Sequence, residues 1–395
     1  MARALIIGGG IGGLTAAVAL HRRGWQVTVL ERAASLEPVG AGISLAPNGQ
    51  RALDVIGLGD PVRELAAWQG PGGLRTPGGR WLARTDSAAT ARRFGSTLVL
   101  LHRATLIDRL RAELPQDAVR VDSPAELTDP GGTTRPATVT TTAGEEQADL
   151  VVGADGINSQ VRRALFPDHP GTVYAGFTTW RCVVPSAGRE FAPHETWGRG
   201  RLWGSQPLKD GRIYAYAAAA VPAGGSAPDS ELAELRRVFG GWHQPIPAIL
   251  DAAAPEDVLR NDVRYVKQPL PAYHRGRVAL LGDAAHAMPP SLGQGGNQAI
   301  EDAVVLAHHT PGEAELGLAL AAYTRDRLPR TMDVVRRSVR TGRATTVRSR
   351  AGVMVRDTVI AGVGRFGGSV MLRSFDGVLD WQPPERTYAA RPESH

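Results

Sequence analysis

The pattern of hydrophobic and polar positions predicts a β-α-β unit at the start of the chain. Residues 4–7 and 26–30 are short runs rich in aliphatic side chains, which is typical of buried strands. Between them, residues 14–23 place aliphatic side chains at i, i+3 and i+4, the spacing of a helix. Three such elements within about 30 residues have the size of a β-α-β unit, which forms the mononucleotide-binding half of a dinucleotide-binding fold.

The rest of the first half carries further signals. Residues 47–65 and 105–114 favour helices, the second with leucines along one face. Residues 70–80 are rich in glycine and proline and predict a loop. Residues 118–142 give weak strand signals around a turn, and residues 150–152 form another short buried strand.

The pattern changes near residue 171, where polar and apolar residues begin to alternate. A Lys-Asp-Gly turn at residues 209–211 predicts a hairpin in an antiparallel sheet. Helices and one more buried strand follow, and the remainder is mostly helical with many arginines. The alternating segments are residues 176–184, 201–206 and 212–218, the helices are 230–239 and 246–252, and the strand is 278–281.

Composition and charge narrow the classes of function. The chain has 395 residues, of which 43% are hydrophobic, and a net charge of +6. The positive charge is almost all arginine and is scattered, which argues against nucleic-acid binding and favours anionic small molecules. Cys182 is the only cysteine, which excludes an intrachain disulfide and a multi-cysteine metal site, and we predict no metal. No stretch approaches the ~18 apolar residues of a membrane span, so a cytoplasmic protein is expected.

A glycine motif lies directly after the first predicted strand. Gly8, Gly10 and Gly13 form G-x-G-x-x-G, in which two glycines allow a close backbone approach to a pyrophosphate and the third lets helix pack on strand. Glu31 ends the second strand, where its carboxylate can accept hydrogen bonds from ribose hydroxyls. The motif predicts a dinucleotide at the helix N-terminus and leaves open whether it is a flavin or a nicotinamide.

Two later strands also end in polar groups. Asp155 and Gly156 follow the strand at 150–152, and Ser159 is placed to cap the next helix, although a simple turn is an alternative. Asp283 follows the strand at 278–281, where it can bind ribityl or ribose hydroxyls, and residues 290–296 can bring backbone N–H groups to the carbonyl oxygens of a ring. A capped helix start without a ligand is the alternative there, and His286 is either an activating base or a packing residue.

Taken in order, these motifs resemble those of the flavin-dependent aromatic hydroxylases, the single-component FAD monooxygenases of the p-hydroxybenzoate hydroxylase type. The resemblance covers nearly the whole chain, and we expect a compact member of the family. Residues 40–49 are similar to the family's loop beside the flavin, and His102-Arg103 resembles its arginine that reaches the FAD. Residues 174–184 resemble the first strand of its substrate sheet.

The resemblance implies an α/β fold with a Rossmann-like FAD-binding domain, an inserted antiparallel β-sheet substrate domain and C-terminal helices. The expected FAD-binding domain comprises residues 1–70, 101–170 and 276–310. The expected substrate domain comprises residues 71–100 and 171–275, and the helical region comprises residues 311–395.

The resemblance also implies an activity. FAD is the expected cofactor, and NADPH or NADH is a transient co-substrate that uses Asp155 and Arg162. In the family, the reduced flavin forms a C4a-hydroperoxide with O2 and delivers one oxygen atom to an aromatic or polyene substrate, by hydroxylation or epoxidation. Alternatives are a flavoprotein that sequesters a small molecule without turnover, or a reductase or cyclase of the same fold. A monomer or homodimer is expected.

The predicted site residues fall into two sets. The first set comprises the expected cofactor contacts: Gly8, Gly10, Gly13, Glu31, Arg32, Gly42, Ser44, Arg103, Asp155, Asp283, Pro290, Gly293, Gly295, Gly296 and Asn297. The second set lies on alternating positions of the predicted sheet, where arginines and aromatic rings suit a planar substrate: Arg181, Arg201, Trp203, Tyr214 and Tyr216. The alternation leaves open which face of the sheet is directed at the flavin.

Overall fold

The predicted β-α-β unit is present. The computed structural model describes residues 1–36, 42–66, 72–85, 87–312, 315–365 and 372–384. Strand β1 (Arg3–Ile7), helix α1 (Ile11–Arg22) and strand β2 (Gln26–Leu30) follow one another, and the two strands pair in parallel. The aliphatic side chains of both strands are almost completely buried, which confirms the prediction of buried strands.

The remaining elements follow in chain order. Up to residue 165 they are β3 (Gly42–Leu45), α2 (Pro47–Val55), α3 (Gly59–Arg63), β4 (Gly72–Arg75), β5 (Trp81–Thr85), α4 (Ser87–Phe94), β6 (Val99–His102), α5 (Arg103–Ala112), β7 (Val119–Arg120), β8 (Ala125–Asp129), β9 (Ala137–Thr141), β10 (Gly144–Ala148), β11 (Leu150–Gly153) and α6 (Gln160–Leu165). Beyond it they are β12 (Thr172–Pro185), β13 (His194–Trp197), β14 (Arg201–Pro207), β15 (Arg212–Ala219), α7 (Glu231–Phe239), α8 (Ile246–Ala252), β16 (Leu259–Val266), β17 (His274–Arg275), β18 (Val278–Leu280), α9 (Asp283–His286), α10 (Gly295–His309), α11 (Leu316–Thr345) and α12 (Arg350–Arg365).

A mainly parallel sheet forms the centre of the first domain. Its order is β17-β18-β11-β1-β2-β7, with only β17 antiparallel to its neighbour. The carboxyl ends of β1, β11 and β18 are adjacent, because Ile7 pairs with Gly153 and Gly153 pairs with Leu280. The glycine motif and the two later polar strand ends therefore leave the sheet at one edge.

A largely antiparallel sheet forms the second domain, in the order β16-β12-β15-β14-β13-β4-β5. The predicted hairpin is present as β14 and β15, with Pro207 opposite Ile213. Helices α7 and α8 cover one face, here called the outer face, through a core that includes Trp203 and Phe239. The inner face is directed at the first domain, where a Cβ built on Gly42 would lie 2.4 Å from the Tyr214 ring.

Two element predictions need correction. The expected loop at 70–80 contains strand β4, in which Gly73 has φ +152 and a Cβ would lie 2.3 Å from Ala83 O. Glycine here permits close strand pairing rather than a loop. The helix expected over 47–65 is interrupted near Gly57, whose φ of +72 separates α2 from α3. No helix in the described ranges is long and apolar enough to cross a membrane.

Candidate functional site

The glycine motif shapes the cleft at the edge of the parallel sheet. Gly8 has φ +111, and Gly13 packs so closely that a Cβ on it would lie 2.0 Å from Gly8 O. Gly10 precedes α1 without any side-chain cap, so the first N–H groups of the helix are free for a ligand. The carboxylate of Glu31 accepts from the N–H groups of Gly9 at 2.7 Å and Ala33 at 2.9 Å, which fixes the loop against β2.

Arg103 begins α5 beside this loop. A Cβ on Gly10 would lie 3.6 Å from Arg103 Nη2. The Nε of Arg103 is buried and has no acceptor among the described residues. Desolvation lowers the pKa of Arg103 despite the attraction of Asp283, and Arg181 on the inner face of the second sheet lowers it further. A buried guanidinium without an acceptor, next to free helix N–H groups, suits a phosphate.

Asp283 follows β18 and is exposed to the same cleft. Its carboxylate has no hydrogen bond within the described part of the chain. Desolvation by the surrounding protein raises the pKa of Asp283, while the nearby His286, Arg103 and Arg162 lower it. Such a carboxylate is placed to accept hydrogen bonds from hydroxyl groups of a ligand.

Asn297 joins the two loops that form the other side of the cleft. Its Oδ1 accepts from Ala46 N at 2.9 Å, and its Nδ2 donates to Ser44 O at 2.9 Å and to Gly293 O at 2.8 Å. The predicted loop from Pro290 to Gly296 thereby lies against strand β3 (which also contains Gly42), and a Cβ on Gly296 would lie 2.8 Å from an Ile43 methyl group. Helix α10 begins at Gly295 without a side-chain cap, so its N–H groups are available at the cleft.

The segment from Asp155 to Arg162, which follows β11, mainly stabilises the local fold. Asp155 Oδ2 accepts from Gln160 N at 2.7 Å and from Val161 N at 3.1 Å, so it caps α6. The predicted cap at Ser159 is confirmed, because its Oγ accepts from Arg162 N at 2.8 Å. The guanidinium of Arg162 donates to Ala284 O at 2.9 Å and ties α6 to α9. Asp155 Oδ1 stays buried without a partner among the described residues.

A buried network of charged residues on α10 and α11 lies next to the cleft. It was not predicted from the sequence. Arg327 of α11 contacts Asp302 Oδ1 and Glu301 Oε2, both at 2.7 Å. Asp302 Oδ2 accepts from Gly282 N at 2.9 Å, so the network holds the turn that carries Asp283. Burial alone would raise the pKa of Asp302, but His286 and Arg327 hold it at about 2. The acidic pair at 301–302, with aliphatic residues directly before and after it, was the one available signal.

His286 belongs to this network. Its side chain is fully buried, and its Nε2 lies 2.5 Å from Asp302 Oδ2. It also packs against the Tyr273 ring, with 5.9 Å between ring centroids. These contacts favour the interpretation of His286 as a packing residue over that of an activating base.

The predicted substrate residues are divided between the two faces of the antiparallel sheet. Arg181, Tyr214 and Tyr216 share the inner face with the cleft, and the two tyrosine rings lie 5.5 Å apart. Trp203 lies on the outer face, packed against Phe239 with 5.3 Å between ring centroids. Arg201 is on that same face, so neither Arg201 nor Trp203 joins the tyrosines. The prediction grouped residues that alternation places on opposite sides.

The inner face holds one acidic residue that the sequence analysis missed. Glu195 of β13 accepts from the Tyr216 hydroxyl at 2.6 Å and from Trp197 Nε1 at 2.7 Å. Burial and Glu195 raise the pKa of Tyr216 well above its usual value, and burial raises that of Tyr214 to about 12. Both phenols are therefore neutral hydrogen-bond donors at neutral pH.

The other residues predicted to contact the cofactor are mostly exposed. Arg32 is exposed next to Glu31, and Pro290 and Gly293 are exposed at the cleft, with Gly293 at φ +62. Residues 40 and 41 of the predicted loop at 40–49 lie outside the described residues. No group of three or more potential metal ligands comes together in the described ranges.

The unpartnered groups fit FAD. The free N–H groups at α1 and the orphaned guanidinium of Arg103 suit a pyrophosphate, and the unbonded carboxylate of Asp283 suits the hydroxyls of a sugar chain. The N-terminus of α10 packs against β3, and β3 also contacts Tyr214 on the inner face of the antiparallel sheet. A dinucleotide with a reactive ring at that end would be held along its length.

Comparisons with known proteins agree with this geometry. Residues 1–338 match the family model of an FAD binding domain. The aurachin C monooxygenase/isomerase of Stigmatella aurantiaca is 38% identical over 343 residues, which cover 86% of this chain and 88% of that protein. The 3-amino-4-hydroxybenzoate 2-monooxygenase of Streptomyces cremeus is 36% identical over 358 residues, covering 86% of both proteins.

Solved structures extend the likeness to the whole fold. The structure of Klebsiella pneumoniae HpxO complexed with FAD and uric acid is 28% identical, with a TM-score of 0.86 and coverage of 97% of both chains. The match to the FAD-binding model covers more than half of the chain, and two named relatives exceed 30% identity. This chain therefore belongs to the FAD-dependent monooxygenases of the aromatic hydroxylase family.

Proposed function

We propose that this enzyme uses NADPH or NADH and O2 to insert one oxygen atom into an aromatic or otherwise electron-rich small molecule. The observation that carries the proposal is the convergence of two kinds of surface on one cleft. One side carries the free helix N-termini, Arg103 and Asp283, and the other carries the inner face of the antiparallel sheet with Tyr214. The similarity to a urate hydroxylase and a 3-amino-4-hydroxybenzoate monooxygenase supports an aromatic substrate.

The FAD contacts are assigned by the chemistry of each group. Gly8, Gly10 and Gly13 admit the pyrophosphate, with Arg103 as its cation, and Asp283 accepts from the ribityl chain. Glu31 accepts from ribose hydroxyls while it holds the glycine loop. We assign the remaining predicted contacts to FAD as well: Arg32, Gly42, Ser44, Asp155, Pro290, Gly293, Gly295, Gly296 and Asn297.

FAD, when bound and reduced, supplies the oxygen-activating chemistry. The protein's task is to exclude water from the cleft and to hold the substrate in a fixed orientation. We assign the second task to Tyr214 and Arg181. The Tyr214 hydroxyl has no hydrogen-bond partner, and Arg181 Nε is buried without an acceptor, within the described ranges. A neutral phenol beside a guanidinium favours a planar substrate with a phenolate or carboxylate group.

Turnover is tested with a panel of aromatic acids, phenols, quinolones and purines in air, scored by NADPH and NADH oxidation and by product mass. We expect at least one compound to accelerate oxidation and to gain one oxygen atom. Tyr214→Phe should raise KM for that compound without loss of bound FAD. If no compound accelerates oxidation or yields an oxygenated product, the alternative of a sequestering flavoprotein replaces the proposal. Cytoplasmic location and a monomeric or homodimeric state stay predictions.

Glu31→Gln should weaken FAD binding by an order of magnitude or more. The substitution removes the negative charge that we assign as acceptor of the ribose hydroxyls, and each hydrogen bond to a charged acceptor is worth about 1.5–3 kcal/mol. The same charge also holds the glycine loop through Gly9 and Ala33. The measurement is the FAD dissociation constant by titration of the apoprotein. Glu126→Gln, on an exposed strand position, is the matched control and should leave the constant unchanged. An unaltered constant in Glu31→Gln would remove this residue from the site.

A further inference from the structure

A second cavity lies on the outer face of the antiparallel sheet. Its volume is about 610 Å³, within the range of about 300–1,000 Å³ that is usual for small-molecule sites. Strands β12, β14 and β15, helix α7 and the segment before α12 surround it. The hydrophobic core between the sheet and helices α7 and α8 does not fill this space.

The cavity is separate from the FAD cleft. Trp180 lines it from the outer face of β12, whereas the next residue, Arg181, pairs with Tyr216 on the inner face. Successive side chains of a strand point to opposite faces, so the thickness of the sheet divides the two spaces. A molecule in the outer cavity does not share the substrate position proposed above.

The wall of the cavity is apolar and aromatic. Trp180 and Phe239 are 4% and 0% exposed, and Leu235 lies beside them on α7. Val238 and Trp242 complete the wall and are only half-buried. Trp242 is thus the aromatic side chain of this wall that remains partly open to solvent, and its flat surface favours a planar apolar body as the occupant.

The rim of the cavity is cationic. Arg199, Arg201 and Arg348 line it and are exposed. Arg199 Nε donates to the backbone oxygen of Arg348. Within the described ranges the side chains of Arg201 and Arg348 have no acceptor.

The carboxylates near this cavity already have partners within the protein. Glu234 is the carboxylate among the lining residues, and it pairs with Arg237 at 2.8 Å. Arg237 also pairs with Asp229 at 2.8 Å. Glu231, at the start of α7, accepts from Trp180 Nε1 at 2.6 Å and lies 3.8 Å from Arg260. The guanidinium groups of Arg201 and Arg348 are therefore available to an anion from outside the chain.

We propose that this cavity binds a small amphipathic anion. The planar apolar body of the ligand lies in the cavity against the wall formed by Trp180, Phe239 and Trp242, and its carboxylate or sulfonate remains at the rim with Arg201 and Arg348. Arginine suits this role because its planar fork can hold both oxygens of a carboxylate. The sequence predicted Arg201 as a substrate contact, and we assign it instead to the ligand of this outer cavity.

The test uses the FAD-loaded enzyme and isothermal titration with 2-naphthoate and its neutral analogue 2-naphthamide. We expect 2-naphthoate to bind, and 2-naphthamide to bind at least five-fold more weakly, since it lacks the charge that the rim recognises. Raising the salt concentration should reduce the difference, because exposed charges are screened. Equal affinities for the two compounds would overturn the proposal.

Substitutions in the rim and the wall test whether 2-naphthoate binds in this cavity. The double variant Arg201→Glu with Arg348→Glu should weaken 2-naphthoate binding at least ten-fold, and Val238→Trp should block the cavity. Arg189→Glu, an exposed charge reversal elsewhere on the same domain, should leave binding unchanged. If Val238→Trp fails to fold, Arg201→Gln with Arg348→Gln tests the rim without altering the wall. Binding that persists unchanged in the rim variants would assign 2-naphthoate to the FAD cleft and overturn the proposal.

Discussion

Replacing Arg327 with methionine should lower the free energy of unfolding by about 3–5 kcal/mol, because it leaves buried carboxylates without their cation. Arg327 is 1% exposed and contacts Glu301 and Asp302, each of which is 0% exposed. Arg330 still reaches Glu301, but Asp302 keeps only Gly282 N and His286. The measurement is denaturant-induced unfolding followed by circular dichroism.

Arg325→Met is the matched control on the same helix. Arg325 is 74% exposed and lies 3.6 Å from Asp326, so its loss should cost no more than about 1 kcal/mol. Because Asp302 anchors the turn before Asp283, the Arg327 variant should also bind FAD more weakly. Equal stability of the two variants would mean that the buried network contributes little to the fold.

Gly13→Ala should prevent stable folding of the FAD domain, whereas Gly10→Ala should affect FAD binding alone. A Cβ on Gly13 would lie 2.0 Å from the backbone oxygen of Gly8, which cannot move without displacing β1 or α1. Overpacking typically costs about 1–3 kcal/mol and occasionally more, and a contact this close to backbone on both sides belongs at the upper end. At Gly10 the nearest atom is Arg103 Nη2 at 3.6 Å, and φ is −73, so alanine fits the protein itself.

The two glycine variants are compared by unfolding of the apoprotein and by FAD titration. Gly10→Ala should unfold within about 1 kcal/mol of the natural protein and bind FAD at least ten-fold more weakly. The methyl group would occupy the space assigned to the pyrophosphate. If Gly10→Ala binds FAD with unchanged affinity, the pyrophosphate does not lie at Gly10. If Gly13→Ala folds normally, the contact with Gly8 is not rigid.

Local patterns were enough to predict the parts of the fold that depend on neighbours in sequence. The β-α-β unit follows from aliphatic periodicity, and the cap at Ser159 follows from the residue type before a helix. The position of Asp283 at a strand end also followed from the sequence. Each of these features is contained within a few residues of the chain.

Features set by distant contacts could not be predicted in the same way. The partner of Asp302 is Arg327 on the next helix, with no periodic pattern connecting them. The two faces of the antiparallel sheet are both covered, one by α7 and α8 and the other by the first domain, so alternation alone did not distinguish them. Trp203 was therefore grouped with Tyr214, which lies on the opposite face.

The alternation along β15 has an evolutionary consequence. Ile213, Ala215 and Ala217 belong to the outer core, while Tyr214 and Tyr216 line the cleft. Substitutions at every second position can therefore alter which molecule is accepted while the packing on α7 and α8 is conserved. A single strand provides one set of positions that selection for stability holds constant and another that selection for substrate can change.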